Sequence, residues 1–297
     1  MEFNQLRGFY EIAREGSFTR AADKLYLTQP AISLQIKALE EELETALFER
    51  NRRQARLTPA GEVLFQHTRQ IFEQLAAAQS EIAALQDVLR GQLVIGTSDT
   101  NCTYVLPDLL RAFAAEHLHV EVDVRNKMSG EVVRLVLDDA VDFGLATLPV
   151  RRRDLVTTPC FKRREAFICP PEHPLAKRKA VRLEEIAQYP VLALERGSTS
   201  RHLLDESCRQ AELVLPVTMN LGSIEVIKRF VESGLGVAVV PLVAVAGEVA
   251  AGRLAAASVR TVAPRSVGIV ERRGRKRAPA TEVFIAMLLE RLAGQVV

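Results

Sequence analysis

The spacing of apolar residues changes its period near residue 90 of this 297-residue chain. Before that point, apolar residues recur every three or four positions, which predicts amphipathic helices. After it, short apolar runs alternate with helical stretches, which predicts strands connected by helices. A single hydrophobic core rarely extends over such a length, so we expect separate domains. Their predicted limits are residues 1–58, 59–90 and 91–297.

Three short helices are predicted near the N-terminus. The first covers residues 2–15 and ends at Gly16. Ser17 is a good N-cap for the second helix, because its hydroxyl can accept a free backbone N–H. Thr28 caps the third helix in the same way, and Pro30 lies in the first turn, where a missing N–H costs nothing. Two short helices joined by a tight turn form a helix-turn-helix, whose second helix can enter the major groove of DNA.

The segment after the third helix predicts a wing. Residues 47–48 and 55–57 have the composition of two short strands around a polar tip, where Arg50, Arg52 and Arg53 concentrate positive charge. The first 90 residues are slightly acidic overall, so the distribution of charge matters more for DNA binding than the net charge. Residues 1–58 are therefore expected to form an all-α, winged helix-turn-helix DNA-binding domain.

A long linker helix is predicted from Thr58-Pro59 to Arg90. Eight of its residues recur at alternating spacings of four and three, the pattern of a coiled-coil seam: Leu64, Thr68, Ile71, Leu75, Ala78, Ile82, Leu85 and Leu89. The helix could pair with a second copy of the chain, or it could pack on its own domain. We favour pairing, because a helix of ~30 residues is ~45 Å long and extends beyond a small domain.

Residues 91–297 predict an α/β module of two lobes. Strands at 93–96, 120–124 and 143–146, with helices between them, predict a parallel βαβαβ lobe. Residues 149–159 are expected to cross to a second series of strands and helices. The last strand and helix are expected to return to the first lobe. The predicted limits are about 91–162 plus 266–297 for the first lobe and about 163–265 for the second.

Short motifs recur at fixed spacing along the chain. The N-terminal motifs are Gly16-Ser17-Phe18-Thr19-Arg20-Ala21-Ala22, Leu25, Thr28-Gln29-Pro30-Ala31-Ile32-Ser33, Gln35-Ile36, Leu39-Glu40, Leu47-Phe48-Glu49-Arg50 and Leu57-Thr58-Pro59-Ala60-Gly61. The weaker C-terminal motifs are His173-Pro174-Leu175-Ala176, Val231 with Gly234-Leu235-Gly236-Val237, and Gly252-Arg253-Leu254. Together they resemble the LysR-type transcriptional regulators over essentially the whole chain. The resemblance implies a dyad-symmetric DNA site, a tetramer built from dimers, and a co-inducer bound between two lobes similar to periplasmic binding proteins.

Two positions depart from the family pattern. Leu34 stands where the family usually has a basic residue, so one phosphate or base contact is expected to be missing. Glu44 stands where the family usually has a glycine that ends the recognition helix, which predicts a different helix exit. Both departures weaken any transfer of an operator sequence to this chain.

Nine side chains are predicted to contact double-stranded DNA: Thr28, Gln29, Pro30, Ser33, Gln35, Lys37, Arg50, Arg52 and Arg53. Gln29 can offer a donor and an acceptor to adenine, and the ring of Pro30 suits a thymine methyl group. Lys37 could reach a phosphate, and the wing arginines could follow the backbone or enter the minor groove. The alternative for Gln29 and Ser33 is a solvated helix face, and for Arg50 an ion pair within the scaffold.

Nine further side chains are predicted to bind a small-molecule effector: Thr97, Ser98, Asp99, Thr100, Ser129, Thr147, Ser198, Thr199 and Ser223. Hydroxyls and free N–H groups at helix starts bind oxyanions, so we expect an anionic metabolite such as a carboxylate or a sulfur oxyanion. Asp99 would repel an anion unless it points away or pairs with an amine of the ligand. The alternative is that these hydroxyls only cap helices.

Other function classes find little support in the sequence. A catalytic α/β domain would need a nucleophile with a base, a metal set or a phosphate loop, and none of their motifs is present, so we expect no enzyme, no cofactor and no metal. The alternative of an architectural DNA-binding protein that needs no effector stays open. Whether the protein activates or represses transcription is also left open. Scattered cysteines, no apolar run long enough for a membrane span and no visible secretory signal predict a cytoplasmic protein. A homodimer or homotetramer is expected, with RNA polymerase as a further candidate partner.

Overall fold

The computed structural model describes residues 1–49, 55–84, 89–260 and 262–296. The chain divides into two compact units, Met1–Val88 and Leu89–Val297. We call them the N-terminal unit and the C-terminal unit. The division falls where the apolar pattern changes its period.

The N-terminal unit contains four helices: α1 (Phe3–Glu15), α2 (Phe18–Lys24), α3 (Gln29–Glu42) and α4 (Pro59–Ala84). The predicted caps are present. The Ser17 hydroxyl accepts the N–H of Arg20 at 3.4 Å and the Thr28 hydroxyl accepts the N–H of Ala31 at 3.4 Å. Phe9, Ile32 and Leu39 are fully buried and join the first three helices in one core. Helices α2 and α3 therefore form the predicted helix-turn-helix.

The base of the predicted wing is a short antiparallel pairing. Phe48 bridges to Leu57, and the N–H of Glu49 donates to the carbonyl of Arg56 at 2.8 Å. The tip between them lies outside the described residues. The roles predicted for Arg50, Arg52 and Arg53 therefore stay predictions.

The start of α4 is fixed against the wing by Thr58 and Gly61. The Thr58 hydroxyl donates to the carbonyl of Ala46 at 2.7 Å and accepts the N–H of Gly61 at 3.0 Å. A Cβ atom at Gly61 would lie 2.2 Å from the carbonyl oxygen of Leu47. Only glycine allows this close approach of the helix to the backbone of the wing.

Helix α4 packs on its own unit with its first turns. The ring of Tyr10 stacks on Phe65 and Phe72, with centroid distances of 5.6 and 5.1 Å. Thr68 is fully buried, whereas Ile71 and Leu75 are exposed. The predicted seam is therefore wrong at Thr68, because the aromatic side chains of α1 already cover this face. Among the described seam positions, Ile71, Leu75 and Ala78 are exposed, whereas Leu89 packs on the core of the C-terminal unit, so the predicted seam is wrong there as well.

The exit of α3 has the left-handed geometry that the family glycine suggests, so the different exit predicted from Glu44 is wrong. Glu44 has φ +50°, in the left-handed region, and the N–H of Thr45 donates to the carbonyl of Glu40 at 3.1 Å. A non-glycine residue in this region costs about 1–2 kcal/mol in the folded state. Glycine avoids that cost but loses about 0.5–1 kcal/mol of stability, because its unfolded chain has more conformational freedom. We expect Glu44→Gly to raise the free energy of unfolding of the N-terminal unit by about 0.5–1 kcal/mol.

Amide hydrogen exchange at the buried Ile36 of α3 measures this gain. The matched control is Ala38→Gly, at an exposed position inside α3 with ordinary helical backbone, which we expect to lose about 1 kcal/mol. Faster exchange in Glu44→Gly than in the wild type would contradict the prediction.

The C-terminal unit contains eleven strands and eight α-helices among the residues that the structure describes: β1 (Arg90–Thr97), α5 (Asp99–Tyr104), α6 (Leu106–Glu116), β2 (His119–Asn126), α7 (Ser129–Leu137), β3 (Phe143–Thr147), β4 (Leu155–Arg163), β5 (Glu165–Cys169), β6 (Ala180–Val181), α8 (Leu183–Ile186), β7 (Val191–Leu194), α9 (Thr199–Gln210), β8 (Val217–Leu221), α10 (Ile224–Glu232), β9 (Val237–Pro241), α11 (Ala246–Ala250), β10 (Ala255–Val259), β11 (Arg265–Arg272) and α12 (Pro279–Leu292). Arg90 is thus a strand residue and does not belong to the long helix.

The strands form two sheets, one in each lobe. The first has the order β2-β1-β3-β11-β4 and the second the order β6-β10-β5-β9-β7-β8. Strands β1, β2 and β3 are parallel, and the returning β11 is antiparallel to β3 and to β4. The chain crosses between the sheets twice, from β4 to β5 around Arg164 and from β10 to β11. Strand β4 ends at Arg163 and β11 begins at Arg265, so both of these residues belong to strands of the first sheet.

One predicted crossover is wrong. Residues 155–163 form the strand β4, although Pro159 lies inside it. The proline is tolerated because β4 is an edge strand and because the register with β11 shifts between Val267 and Gly268, opposite Pro159. A proline in an apolar run therefore marked an edge strand with a bulge, and not a loop.

Candidate functional site

One exposed face of α3 carries the predicted base-reading residues. Thr28, Gln29 and Pro30 are exposed at the start of the helix. The Gln29 side-chain nitrogen donates to the Ser33 hydroxyl at 3.2 Å, so the two side chains are held together one turn apart. This contact orients the amide of Gln29 and leaves its oxygen free to accept. A side chain that is oriented in advance loses less entropy when it contacts a base edge.

The structure places Gln35 away from this face. Its side-chain oxygen is buried and has no hydrogen-bond partner among the described residues. A Cβ atom at Gly8 of α1 would lie 3.1 Å from that oxygen, so Gln35 packs against α1. The prediction of a DNA contact by Gln35 is corrected on this ground, because its oxygen faces the packed side of the helix.

The rest of the exposed face is partly apolar. Leu34 is 67% exposed, at the position where the family usually has a basic residue. Lys37 lies one turn further along, with its nitrogen 3.6 Å from a carboxylate oxygen of Glu41. Both side chains are exposed, so this ion pair contributes little and Lys37 stays available to a phosphate.

A cleft of about 400 Å³ lies between the two lobes of the C-terminal unit. Its lining residues are Ser98, Asp99, Thr100, Asn126, Lys127, Met128, Ser129, Glu131, Arg163, Leu194, Glu195, Ser198, Thr199, Ser200, Gly222 and Ile224. Six of the nine predicted effector residues are among them: Ser98, Asp99, Thr100, Ser129, Ser198 and Thr199. The volume is within the usual range for small-molecule sites.

Hydroxyl groups from both lobes meet across this cleft. Ser129 begins α7 in the first lobe and Thr199 begins α9 in the second, and the Thr199 hydroxyl donates to the Ser129 hydroxyl at 3.1 Å. The Ser198 hydroxyl caps α9 by accepting the N–H of Arg201 at 3.1 Å. Two helix N-termini therefore open into one cavity, and both carry positive partial charge.

Three predicted residues do not line the cleft. Thr97 is fully buried, and its hydroxyl donates to the carbonyl of Leu145 at 2.9 Å. Ser223 caps α10 by accepting the N–H of Glu225 at 3.2 Å, which is the capping role left open above. Thr147 ends β3 and is half-buried outside the cleft lining. Thr97 does not line the cleft because its hydroxyl is hydrogen-bonded to the neighbouring strand β3 and does not project beyond the end of β1.

The carboxylates of the lining are largely engaged. Asp99 accepts a hydrogen bond from the Asn126 amide at 3.0 Å, and Glu131 accepts the N–H of Met128 at 3.2 Å. Glu195 is exposed. Asp99 therefore has a neutral hydrogen-bond donor within the protein and keeps its negative charge.

The sequence reasoning missed Arg163. This arginine ends β4, is 3% exposed and lines the cleft. In the sequence, Lys162-Arg163-Arg164 looks like an ordinary run of exposed charges. Only the alternation of side chains along a strand indicates which of the three is buried. Lys162 and Arg164 are exposed and Arg163 is buried, as alternation along a strand requires.

Arg163 belongs to a buried charge cluster, which we define as Arg163, Glu165 and Arg265. The carboxylate of Glu165 accepts hydrogen bonds from Arg265 and from the Ser200 hydroxyl. Arg265 also donates to the backbone carbonyl of Thr199 at 2.8 Å. Burial lowers the pKa of the Arg163 guanidinium to about 10; Glu165 opposes this shift and the positive charge of Arg265 adds to it.

The two lobes also meet at Tyr104, which belongs to α5 of the first lobe. Its hydroxyl donates to the carboxylate of Glu225 in α10 of the second lobe. The buried Lys228 nitrogen lies 2.6 Å from Glu225 and 3.0 Å from Glu248. Burial raises the pKa of Tyr104 well above its usual range, so the phenol remains a donor at neutral pH.

Neither a metal centre nor a membrane span is found in the described ranges. They hold no group of three or more His, Cys, Asp and Glu side chains that could bind a metal ion. No helix in these ranges is long and apolar enough to cross a bilayer.

A winged helix-turn-helix and a two-lobed α/β module with a polar cleft together define a DNA-binding regulator that responds to a small molecule. Family comparisons agree. Residues 3–62 match the bacterial regulatory helix-turn-helix protein, lysR family, and residues 86–293 match the LysR substrate binding domain. The chain belongs to the LysR family of transcriptional regulators.

Curated relatives match the chain over nearly its whole length. The HTH-type transcriptional regulator CfxR of Cupriavidus necator is 33% identical over 99% of this chain and 92% of its own length. The RuBisCO operon transcriptional regulator of Allochromatium vinosum is 32% identical over 99% of this chain and 97% of its own length. Both relatives are regulators, and neither is named as an enzyme.

Solved structures show the same architecture. Full-length OxyR from Pseudomonas aeruginosa has a TM-score of 0.74 at 26% identity, over 98% of this chain and 94% of that chain. The CcmR regulatory domain from Synechocystis, in complex with 2-PG, has a TM-score of 0.65 at 20% identity, over 70% of this chain and 100% of that domain. The second likeness establishes the fold of the C-terminal unit alone.

Proposed function

We propose that this regulator binds a dyad-symmetric duplex through Gln29, Pro30 and Ser33 of α3, and that an anionic metabolite bound in the interlobe cleft controls it. Transcription is regulated where DNA is present, so we also propose a cytoplasmic location. Homodimers or homotetramers, contact with RNA polymerase and the lack of any catalytic activity are further parts of this proposal.

The observation that carries the effector part is the meeting of two helix N-termini in one cleft. Ser129 and Thr199 approach from opposite lobes, and their hydroxyls are hydrogen-bonded to each other. A ligand oxyanion can replace this contact and accept from both hydroxyls, which would tie the lobes to each other through the ligand. Helix dipoles favour a negative charge at this place over a positive one.

The symmetric DNA site follows from the exposed part of α4. Ile71 and Leu75 are large apolar side chains exposed on a helix whose other face is already packed on α1. Exposed apolar residues at heptad spacing favour pairing with the same helix of a second copy. A twofold pair of α3 helices would then read two half-sites about one helical turn apart or a multiple of it.

Genes of carbon fixation are a candidate target. This part of the proposal rests on relatives of about one-third identity over nearly the whole chain, such as the regulator from Allochromatium vinosum, whose name assigns it to the RuBisCO operon. The operator sequence is not carried over from these relatives, because Leu34 changes the exposed face of α3 that would contact the bases.

A two-part experiment tests the proposal. The full chain is screened by thermal unfolding against organic acids, sugar phosphates, amino acids and sulfur compounds, and any stabilising compound is then added to a DNase footprint on duplexes selected from a random pool. We expect at least one anion to stabilise the protein and to alter the footprint. If no compound stabilises the protein while specific DNA binding persists, the architectural alternative is favoured.

A further inference from the structure

The buried charge cluster carries one more positive than negative charge. Arg163 and Arg265 are 3% and 8% exposed, and Glu165, the one carboxylate of the cluster, is 6% exposed. A charge that is removed from water without a partner is costly, so proteins seldom keep one unless something compensates it. The cluster lies where the chain crosses between the lobes, beside the cleft.

The two arginines are not equivalent. Arg265 donates to Glu165, to the Ser200 hydroxyl at 3.1 Å and to the Thr199 carbonyl at 2.8 Å, and only its Nε has no partner among the described residues. Arg163 makes one long hydrogen bond, 3.4 Å, to the Asn101 side-chain oxygen, and its Nε has no partner in the part of the chain that the structure describes.

The Asn101 side chain is held by other hydrogen bonds and cannot turn to offer Arg163 a better contact. Its side-chain nitrogen donates to the Thr97 hydroxyl at 3.1 Å and to the Leu145 carbonyl at 3.2 Å, and the residue is 1% exposed. These two donated bonds fix the amide, so only its oxygen faces Arg163. The guanidinium of Arg163 is therefore held by one long hydrogen bond, and its buried Nε is left without a partner beside the cleft.

We propose that Arg163 selects the effector by charge: a carboxylate or phosphate group of the ligand binds the Arg163 guanidinium and supplies the negative charge that the buried cluster lacks. This inference rests on the proposed function, because it names the chemical group that the cleft recognises. Guanidinium groups bind carboxylate and phosphate through paired N–H donors, and the free Nε of Arg163 is one such donor.

The other cation of the lining is less suited to this role. Lys127 is exposed, and an ammonium in water binds an anion weakly. Arg163 is already desolvated by the protein, so the attraction between it and an anion is screened less. A neutral ligand of the same shape would leave the surplus charge uncompensated and would bind less tightly.

The test compares Arg163→Gln with Arg164→Gln in the full chain. Both variants lose one positive charge at neighbouring positions, but Arg164 is exposed. Thermal unfolding is measured in inorganic phosphate, in acetate and in chloride at one ionic strength. We expect phosphate or acetate to raise the Tm of the wild type and of Arg164→Gln by about 3 °C or more above chloride, and to leave that of Arg163→Gln unchanged. The more effective anion distinguishes a phosphate ligand from a carboxylate ligand.

Two further measurements make the result specific. Arg163→Lys keeps the charge but loses the paired donors, so we expect a smaller, non-zero response to the same anion. The unfolding transition shows whether each variant is folded, and binding of Arg164→Gln to a selected duplex without added anion is expected to equal that of the wild type.

An equal response of Arg163→Gln and the wild type would overturn this inference while leaving an effector in the cleft. An equal loss in Arg163→Gln and Arg164→Gln would also overturn it, because the anion would then act on surface charge. A wild type that responds to neither anion overturns it as well; the proposed function fails in addition only if the metabolite screen yields no stabilising compound.

Discussion

The Arg265→Gln variant is expected to unfold about 10 °C below the wild type. Removing one partner of a buried ion pair costs about 3–5 kcal/mol. Glu165 has no other ion pair among the described residues, and the charge of Arg163 acts on it only from a greater distance. Glu165 would keep only its contact with the Ser200 hydroxyl, at 3.3 Å. For a unit of this size each kcal/mol shifts the Tm by about 2–4 °C. Thermal unfolding of the full chain measures the shift.

The double variant Glu165→Gln with Arg265→Gln is the control for this loss. It replaces both charges by amides, which can hydrogen-bond to each other, so we expect it to recover most of the lost Tm. If the double variant is as unstable as Arg265→Gln alone, the loss comes from packing and not from an unpaired carboxylate.

Arg163→Gln should behave in the opposite way from Arg265→Gln. The burial of Arg163 lowers its pKa to about 10, so its charged form is held in the folded state at a cost. Removing that charge is expected to leave the ligand-free protein at least as stable as the wild type. One arginine of the cluster thus serves stability and the other serves recognition, although both are buried to nearly the same degree.

Local signals in the sequence were sufficient to predict the elements of the N-terminal unit. Ser17 and Thr28 each precede a helical apolar pattern, and both hydroxyls accept a backbone N–H three residues later. Such caps depend on two or three neighbouring residues, so they can be recognised without knowledge of the tertiary structure. The packing of α4 was different, because it depends on Tyr10, which is distant in sequence.

The cleft was predicted in part for a related reason. Hydroxyl-bearing residues at helix starts, such as Ser129 and Thr199, can be located from strand–helix order alone. Arg163 could not, because its burial is decided by the second crossing strand, which brings Arg265 beside it from a hundred residues away along the chain. Gln35 was misassigned because its burial depends on Gly8 of α1, which is distant in sequence and packs against its side-chain oxygen.

The Gln29→Ala variant is expected to lose about 10- to 100-fold in affinity for its selected duplex, with little change on random DNA. A bidentate contact between glutamine and adenine contributes about 1–3 kcal/mol of discrimination, and the alanine side chain can make no such contact. The hydrogen bond from Gln29 to Ser33 at 3.2 Å orients the amide beforehand, so Ser33→Ala should cause a smaller loss in the same direction. Fluorescence anisotropy with both duplexes measures these ratios.

Lys37→Ala is the matched control on the same helix. Its side chain is exposed and carries charge without a base-reading amide, so its loss should weaken binding to selected and random duplexes alike and reduce the salt slope by about one. The contrast separates base reading from attraction to the backbone. Equal losses on both duplexes for Gln29→Ala would contradict its reading role, and would move sequence recognition to residues outside the start of α3.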